Sequence, residues 1–363
     1  MRPRVVHVDT AASWRGGQNQ VLLTAQGMMA RGVATEIACR RGGELESRAR
    51  AAGVSVEPVS FRGDLWPAGI LALARRVRQQ PDSVLLLHDP HAVSAGLLAT
   101  RLGRRVPLVA VRRVDFPLRG AFSRAKYAAC DSVIVVSSAI GSVMQRGGIA
   151  SERLALVYEG VPDRRPAPGG KEALAALGVP EDALVVGNVA ALTGHKDHAT
   201  LIDAMLLLRT KQPRAWLVIA GEGELRGALE AQIGRLGLQD RVHLPGHVTE
   251  PLRLIATANV FVMSSKEEGL GTSVLDAMAL GVPIAATGGG GIPEMLGGGA
   301  GLLSEPRNAP ALADSVDRLL REESLRESLR KAATEQVAEF SAEAMAKGVL
   351  SVYRSVTESV DLK

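Results

Sequence analysis

The chain has 363 residues and a formal net charge of +5, and it is 46% hydrophobic but only 3% aromatic. That length is too great for one ordinary core and predicts two domains, and an aliphatic, aromatic-poor composition suits α/β layers filled by Val, Leu, Ile and Ala. Cys39 and Cys130 are the only cysteines, which excludes a disulfide framework and predicts a reducing compartment.

Taken in order, the first half alternates apolar strands with helices. Strands are expected at Val5–Val8, Ala34–Ala38, Val54–Pro58, Ser83–Leu87, Leu108–Val111 and Ser132–Val136, with helices at about 17–31, 44–52, 66–79, 91–103, 121–129 and 138–147. Short glycine turns and helical crossovers predict a parallel sheet wrapped by helices. The Pro/Gly/Arg-rich stretch 161–170, VPDRRPAPGG, reads as an interdomain linker. The pattern then restarts, with strands at Leu184–Val189, Trp216–Ala220, Val242–Leu244, Val260–Met263, Ile284–Ala286 and Gly301–Leu303 and a long terminal helix at about 341–359. The division predicted is 1–165 and 171–340. No apolar run approaches the roughly 20 residues that span a bilayer, and the opening MRPRVVHVDT reads as a charged flank before a strand, not a signal peptide. A cytoplasmic protein is expected.

Charge is unevenly divided. Residues 1–165 carry 24 Lys/Arg against 13 Asp/Glu, and the remainder carries 19 against 25. All but one of the cations in the first half are Arg. An anionic acceptor or an anionic membrane surface fits such a half, with peripheral contact at the inner face of the cytoplasmic membrane as the expectation. Nucleic acid is disfavoured, because no aromatic-plus-basic stacking platform accompanies the charge.

The most informative segment is Ser264–Glu294, SSKEEGLGTSVLDAMALGVPIAATGGGGIPE. A strand ends at Met263, a polar turn follows, and Val274, Leu275, Met278 and Ala279 keep helical spacing, with Thr272 expected as the cap. Amides of Leu270, Gly271 and Thr272 would then leave a helix N-terminus, where a phosphate is favoured. Glu268 precedes that anion site and Asp276 lies one turn inside the helix. A diphosphate flanked by a sugar and a ribose satisfies all three features.

This segment resembles the E-x7-E signature of retaining GT-B glycosyltransferases of glycosyltransferase family 4. The resemblance implies two facing Rossmann-like, doubly wound parallel-sheet domains with an interdomain cleft. The first would bind acceptor, with residues 341–363 crossing back onto it, and the second would bind the nucleotide-sugar donor. It implies that Glu268 contacts the donor hexose and that Asp276, a shortened carboxylate, holds the ribose hydroxyls.

Other stretches extend the match. Trp14-Arg15-Gly16-Gly17-Gln18-Asn19 follows the first strand, and two glycines there let a phosphate or sugar approach the backbone. It is not G-x-G-x-x-G, which argues against a dinucleotide dehydrogenase. The resemblance gives Gly16 and Gly17 to the donor diphosphate. In Gly187–His198, Lys196 matches the family lysine that neutralises the departing diphosphate, while Ala190 and Ala191 stand where an Arg is usual. Another cation must substitute. His195 and His198 have no third ligand nearby, so no metal is expected. His88-Asp89-Pro90-His91-Ala92 resembles the family's HDxHA stretch, and Arg112, or Arg113, takes the place of a sugar-contacting His. Gly221-Glu222-Gly223-Glu224-Leu225 and Arg241–Val248 resemble two further family segments, the latter making Val248 a nucleobase contact.

The expectation is a metal-independent retaining transferase that needs no cofactor. It would move a hexose-type sugar from a nucleoside diphosphate donor, UDP on family frequency, to an acceptor hydroxyl on a glycan or cell-envelope glycolipid such as lipopolysaccharide. Glu268, Lys196, Arg112, His88 and Asp89 would line the chemistry, with Arg113 beside the donor. A GT-B nucleotide-sugar epimerase and a non-catalytic sugar-nucleotide-binding protein are the alternatives.

Overall fold

In a computed structural model, residues 4–61, 67–162 and 170–361 of the chain are described. The chain divides into two compact units, Met1–Gly160 with Ser341–Lys363, and Val161–Phe340. Most of the linker read at 161–170 lies outside the described residues.

In the first unit the elements are β1 (Arg4–Asp9), α1 (Gly16–Ala30), β2 (Ala34–Arg40), α2 (Glu44–Ala51), β3 (Ser55–Val59), α3 (Pro67–Gln79), β4 (Ser83–Leu87), α4 (Pro90–Leu102), β5 (Leu108–Arg112), α5 (Gly120–Ala128), β6 (Ser132–Val135), α6 (Ser138–Arg146) and β7 (Leu154–Leu156). The strands form one parallel sheet in the order β3-β2-β1-β4-β5-β6-β7. β4 and β5 are buried along their whole length, as their unbroken apolar runs require of strands covered by helices on both faces. β7 has no counterpart in the strands expected from the sequence. It is a three-residue edge strand, half-buried at Leu154 and Ala155 and exposed at Leu156, too short to carry a periodic signal. The C-terminal helix (Ala342–Asp361) belongs to this unit and packs beside α1, where Ala346 fills the space over Gly27.

The second unit contains α7 (Gly170–Ala176), β8 (Leu184–Val189), α8 (His198–Lys211), β9 (Ala215–Ala220), α9 (Arg226–Arg235), β10 (Val242–Gly246), α10 (Pro251–Thr257), β11 (Val260–Met263), α11 (Thr272–Ala279), β12 (Ile284–Thr287), α12 (Ile292–Leu296), β13 (Leu302–Ser304), α13 (Ala309–Arg321) and α14 (Glu323–Gln336). Its parallel sheet has the order β10-β9-β8-β11-β12-β13. The core between sheet and helices is aliphatic: Leu312, Val316 and Leu319 face inward at helical spacing from α13 onto Leu201, Met205 and Leu208 of α8. Among the described residues, no helix is long and apolar enough to cross a membrane.

Both sheets reverse direction of growth at one point, between β1 and β4 in the first unit and between β8 and β11 in the second. Ligands of such sheets sit beyond the strand C-termini at that switch. Gly16 and Gly17 open the helix after β1, the loop after β4 carries His88 and Asp89, and the loops after β8 and β11 carry Lys196 and Glu268. Each unit therefore has its motifs at its own switch point.

Candidate functional site

In the second unit the chain leaves β8 through Ala190–Thr193, makes a 3-10 turn at Gly194–Lys196, and enters α8 after Asp197, a non-glycine residue with φ +50°. That left-handed residue turns Lys196 toward the loop after β11. Lys196 Nζ and Glu268 Oε2 form an ion pair, with the two side chains only 14% and 12% exposed. Ser265 Oγ donates to the same carboxylate oxygen at 3.1 Å. Two further bonds clamp the loops together: Ser264 Oγ donates to Lys196 O at 2.8 Å, and the Lys266 amide donates to His195 O at 2.8 Å.

The glycine run after β12 fixes Glu268 from behind. Gly291 N donates to Glu268 O at 3.0 Å, and a Cβ on Gly290, where φ is +58°, would lie 1.9 Å from that oxygen. Only glycine fits there. Thr287 Oγ1 adds a 2.6 Å bond to Ser265 O.

α11 begins one residue earlier than its sequence suggests. Gly271, with φ +104°, is the N-cap, and Thr272 is the first helical residue with no side-chain cap bond. Gly271 accepts from Val274 and Leu275 through its carbonyl, but the amides of Leu270, Gly271 and Thr272 donate to no protein acceptor among the described residues. They are open donors at the positive end of a helix, close behind Glu268. Asp276 is half-buried one turn further along. Val248 is half-buried in the loop after β10.

His195 and His198 do not act together. His195 Nδ1 meets Thr193 Oγ1 at 3.3 Å, whereas His198 is buried, with Nε2 3.2 Å from Asn188 Oδ1. Asn188 Nδ2 donates to Val262 O at 2.7 Å, so its Oδ1 is the acceptor and His198 carries its proton on Nε2. Burial, with the nearby Lys196 charge, pushes His198 down to about 4. Among the described residues no three His, Cys, Asp or Glu side chains gather as a metal cage. The Gly221-Glu222-Gly223 turn lies against the loop after β8: a Cβ on Gly221 would lie 1.9 Å from Ala190 O. Ala190 and Ala191 thus belong to a backbone contact.

In the first unit the candidates sort differently from their sequence assignment. Asp89 is the N-cap of α4. Its carboxylate accepts from the amides of His91 and Ala92 at 2.8 and 2.9 Å, and from Thr10 through amide and hydroxyl at 2.7 and 2.9 Å. Those four bonds tie the loop after β1 to α4 and engage both carboxylate oxygens of Asp89. His88 is buried with both ring nitrogens engaged: Arg113 Nη1 donates to Nδ1 at 3.0 Å, and Nε2 lies 2.9 Å from His7 Nδ1. Since a guanidinium only donates, Nδ1 is the acceptor and Nε2 carries the hydrogen. Burial first, then the Arg113 charge, holds His88 well below the ordinary histidine range. His88 is a neutral support for Arg113.

Arg112 and Arg113 diverge. Arg112, still in β5, is buried and donates to Phe116 O and to Tyr127 Oη at 3.4 Å, with its guanidinium over the Tyr127 ring. It therefore anchors the β5–α5 loop. Arg113, the first residue beyond the strand, donates through Nε to Glu159 Oε1 at 2.8 Å and through Nη1 to His88 Nδ1 and, at 3.3 Å, to His88 O. Its Nη2 has no protein acceptor among the described residues. The open space at Gly17 borders it, since a Cβ there would lie 3.9 Å from Arg113 Cδ. Gly16 and Gly17 open α1, and Gln18 ties that turn to buried Asp9 at 3.1 and 3.3 Å. Glu159, His7, Ser265 and Gly290 were not singled out from sequence. Ser265 and Gly290 lie inside the signature segment, but Glu159 follows the unrecognised β7 and carries no local signal.

Comparison with known proteins agrees with this architecture. The model for glycosyl transferases group 1 matches residues 171–336, and that for glycosyltransferase family 4 matches residues 14–165. The chain is 33% identical over 184 residues to the lipopolysaccharide core biosynthesis glycosyltransferase LpsE of Rhizobium meliloti, covering 50% of this chain and 53% of that one. It is 32% identical over 177 residues to the alpha-D-kanosaminyltransferase of Streptomyces kanamyceticus, covering 48% and 45%. The matches thus span about half the length of these relatives. The crystal structure of Anabaena HepE in complex with UDP-glucose superposes with a TM-score of 0.86 at 20% identity, covering 97% of this chain and 100% of that one. The chain belongs to the GT-B glycosyltransferases of family 4.

Proposed function

We propose that the protein is a retaining, metal-independent glycosyltransferase that moves a hexose-type sugar from a UDP-linked donor to an acceptor hydroxyl. One observation carries the reading: the Lys196–Glu268 pair stands at the mouth of a helix whose first amides are open, with Asp276 one turn inside. Lys196 and the amides of Leu270, Gly271 and Thr272 suit a departing diphosphate. Glu268 suits a hexose hydroxyl, Asp276 the ribose hydroxyls, and Val248 the base. Positioned charge of this kind stabilises a leaving group without a conventional base. The UDP-glucose in the HepE complex supports a UDP-linked donor. The first unit takes the acceptor in this reading, a glycan or glycolipid, and its excess of Arg suits an acceptor borne on an anionic membrane at the cytoplasmic face.

A thermal-shift panel with UDP, GDP, ADP, NAD and their sugar conjugates, all in EDTA, tests this. A ligand at 100 times its dissociation constant adds about 2.7 kcal/mol of stability, a readily visible shift. Stabilisation by one sugar-type nucleotide is expected. Stabilisation by NAD alone would overturn the reading. Isomerised nucleotide sugar without acceptor would favour an epimerase instead.

A further inference from the structure

We infer that the site at the β1/β4 switch of the first unit receives a neutral, hydroxyl-bearing face of a sugar, and that Glu159 determines this by cancelling the charge of Arg113. The inference rests on the transferase reading only for the identity of the sugar.

An arginine beyond a strand end, bordered by a glycine turn, is by itself equally suited to a carboxylate, a phosphate or a hydroxyl. Its surroundings decide between them. Glu159 lies 2.8 Å from Nε, with the two side chains 14% and 9% exposed, so a counter-charge is present at contact distance and poorly screened. The two histidines in contact with the array add no positive charge: burial brings His7 to about 3, and His88 is also held well below its usual range. Asp9, buried behind Gln18, lies within the field of Arg113 and of Asp89. Lys126 spends its Nζ on Pro90 O at 2.8 Å and lies within the field of Asp89, and the adjacent Arg112 spends its guanidinium on Phe116 O and Tyr127 Oη. Among the described residues, the acids Glu159, Asp9 and Asp89 therefore match the cations Arg113, Arg112 and Lys126 in number. An incoming anion would meet a guanidinium already paired and carboxylates not far behind it.

Nη2 nevertheless keeps its N–H groups. A paired guanidinium of fixed plane is a good hydrogen-bond donor to a hydroxyl and a poor anion receptor. His88 holds the plane from Nη1 and Glu159 holds it from Nε. Glu159 is a positioning residue and, through its charge, a specificity residue.

Glu159→Gln separates the two roles, because the amide oxygen can still accept from Nε while the negative charge is gone. The full-length protein and this variant would be compared on two arms. In the first, kcat/KM is measured for UDP-glucose and UDP-galactose against UDP-glucuronate and UDP-galacturonate. In the second, binding of methyl glucoside against methyl glucuronide is followed by saturation-transfer NMR with UDP present. The wild type is expected to favour the neutral member by about tenfold or more, and Glu159→Gln to bring the pair within about threefold. A shift in the first arm assigns the neutral face to the donor, and a shift in the second assigns it to the acceptor. Equal use of neutral and acidic sugars by the wild type would overturn the inference, as would an unchanged preference in a folded Glu159→Gln. Should that variant fail to fold, Arg113→Gln replaces it: loss of neutral-sugar binding is expected, and unchanged binding would overturn the inference. A wild type that turns over no nucleotide sugar would defeat the transferase reading alone, since the second arm still reports.

Discussion

Lys196 and Glu268 form a nearly buried ion pair joining the loops after β8 and β11, where the sheet of the second unit reverses its order. Neither charge would be stable there alone. Removing one partner of such a pair leaves the other uncompensated, a cost of about 3–5 kcal/mol when burial is complete and less at this rim. Lys196→Ala should therefore lower both melting temperature and transfer, with kcat/KM falling about 10²-fold or more. Glu268→Gln should abolish transfer while costing less stability, because the amide still accepts from Ser265. Steady-state kinetics beside thermal melts would check both, and wild-type turnover by either variant would remove these residues from the site.

Gly290 gives a second test of the same loop. Its left-handed φ and the 1.9 Å approach of Glu268 O leave no room for a Cβ. Gly290→Ala should destabilise the protein by roughly 1–3 kcal/mol and depress donor binding, because the clash falls on the backbone of Glu268. Gly194→Ala is the control: nothing lies within 4 Å of a Cβ there, so chemical denaturation should show little change.

Stability should fall on mild acidification. His7 and His198, one in each unit, are brought by burial to about 3 and about 4. In the unfolded chain both titrate near 6.5. Between those values the unfolded chain binds the more protons, so the folded state loses stability as pH falls below about 6.5, by up to about 1.4 kcal/mol per pH unit for each histidine. Melting temperature measured from pH 7.5 to 5 should drop, and His198→Gln should reduce the slope. A flat profile would contradict neutral burial.

The thiols should be inert. Cys39 and Cys130 are free and buried, and burial pushes both up to about 12. Maleimide at pH 8 should label neither in the folded protein and both in denaturant.

Much of this was legible in sequence because most strands are largely apolar runs bounded by polar or turn residues. The bounds of Ser83–Leu87, Leu184–Val189 and Val260–Met263 follow directly from such runs. The donor-type motif was legible too, since Glu268, the open amides and Asp276 occupy one contiguous segment. Long-range pairing was not. In a strand covered on both faces, alternation cannot tell which of two consecutive arginines leaves the sheet, and Arg112 was favoured over Arg113. Asp89 was placed in the pocket by the resemblance of its stretch, and its bonds to Thr10 join residues 79 apart, which no local pattern shows. Arg113 and Glu159 are 46 apart, across a strand too short to recognise.

In the proposed reaction Lys196 and Glu268 hold a nucleotide sugar without metal. Calorimetric titration of UDP-glucose in EDTA into the wild type, Lys196→Ala and Glu268→Ala tests it most directly. Binding by the wild type is expected, with a loss of about tenfold or more in Lys196→Ala and a smaller loss in Glu268→Ala that disappears when UDP replaces UDP-glucose. Equal affinities in all three proteins, or binding only when a divalent cation is restored, would contradict it.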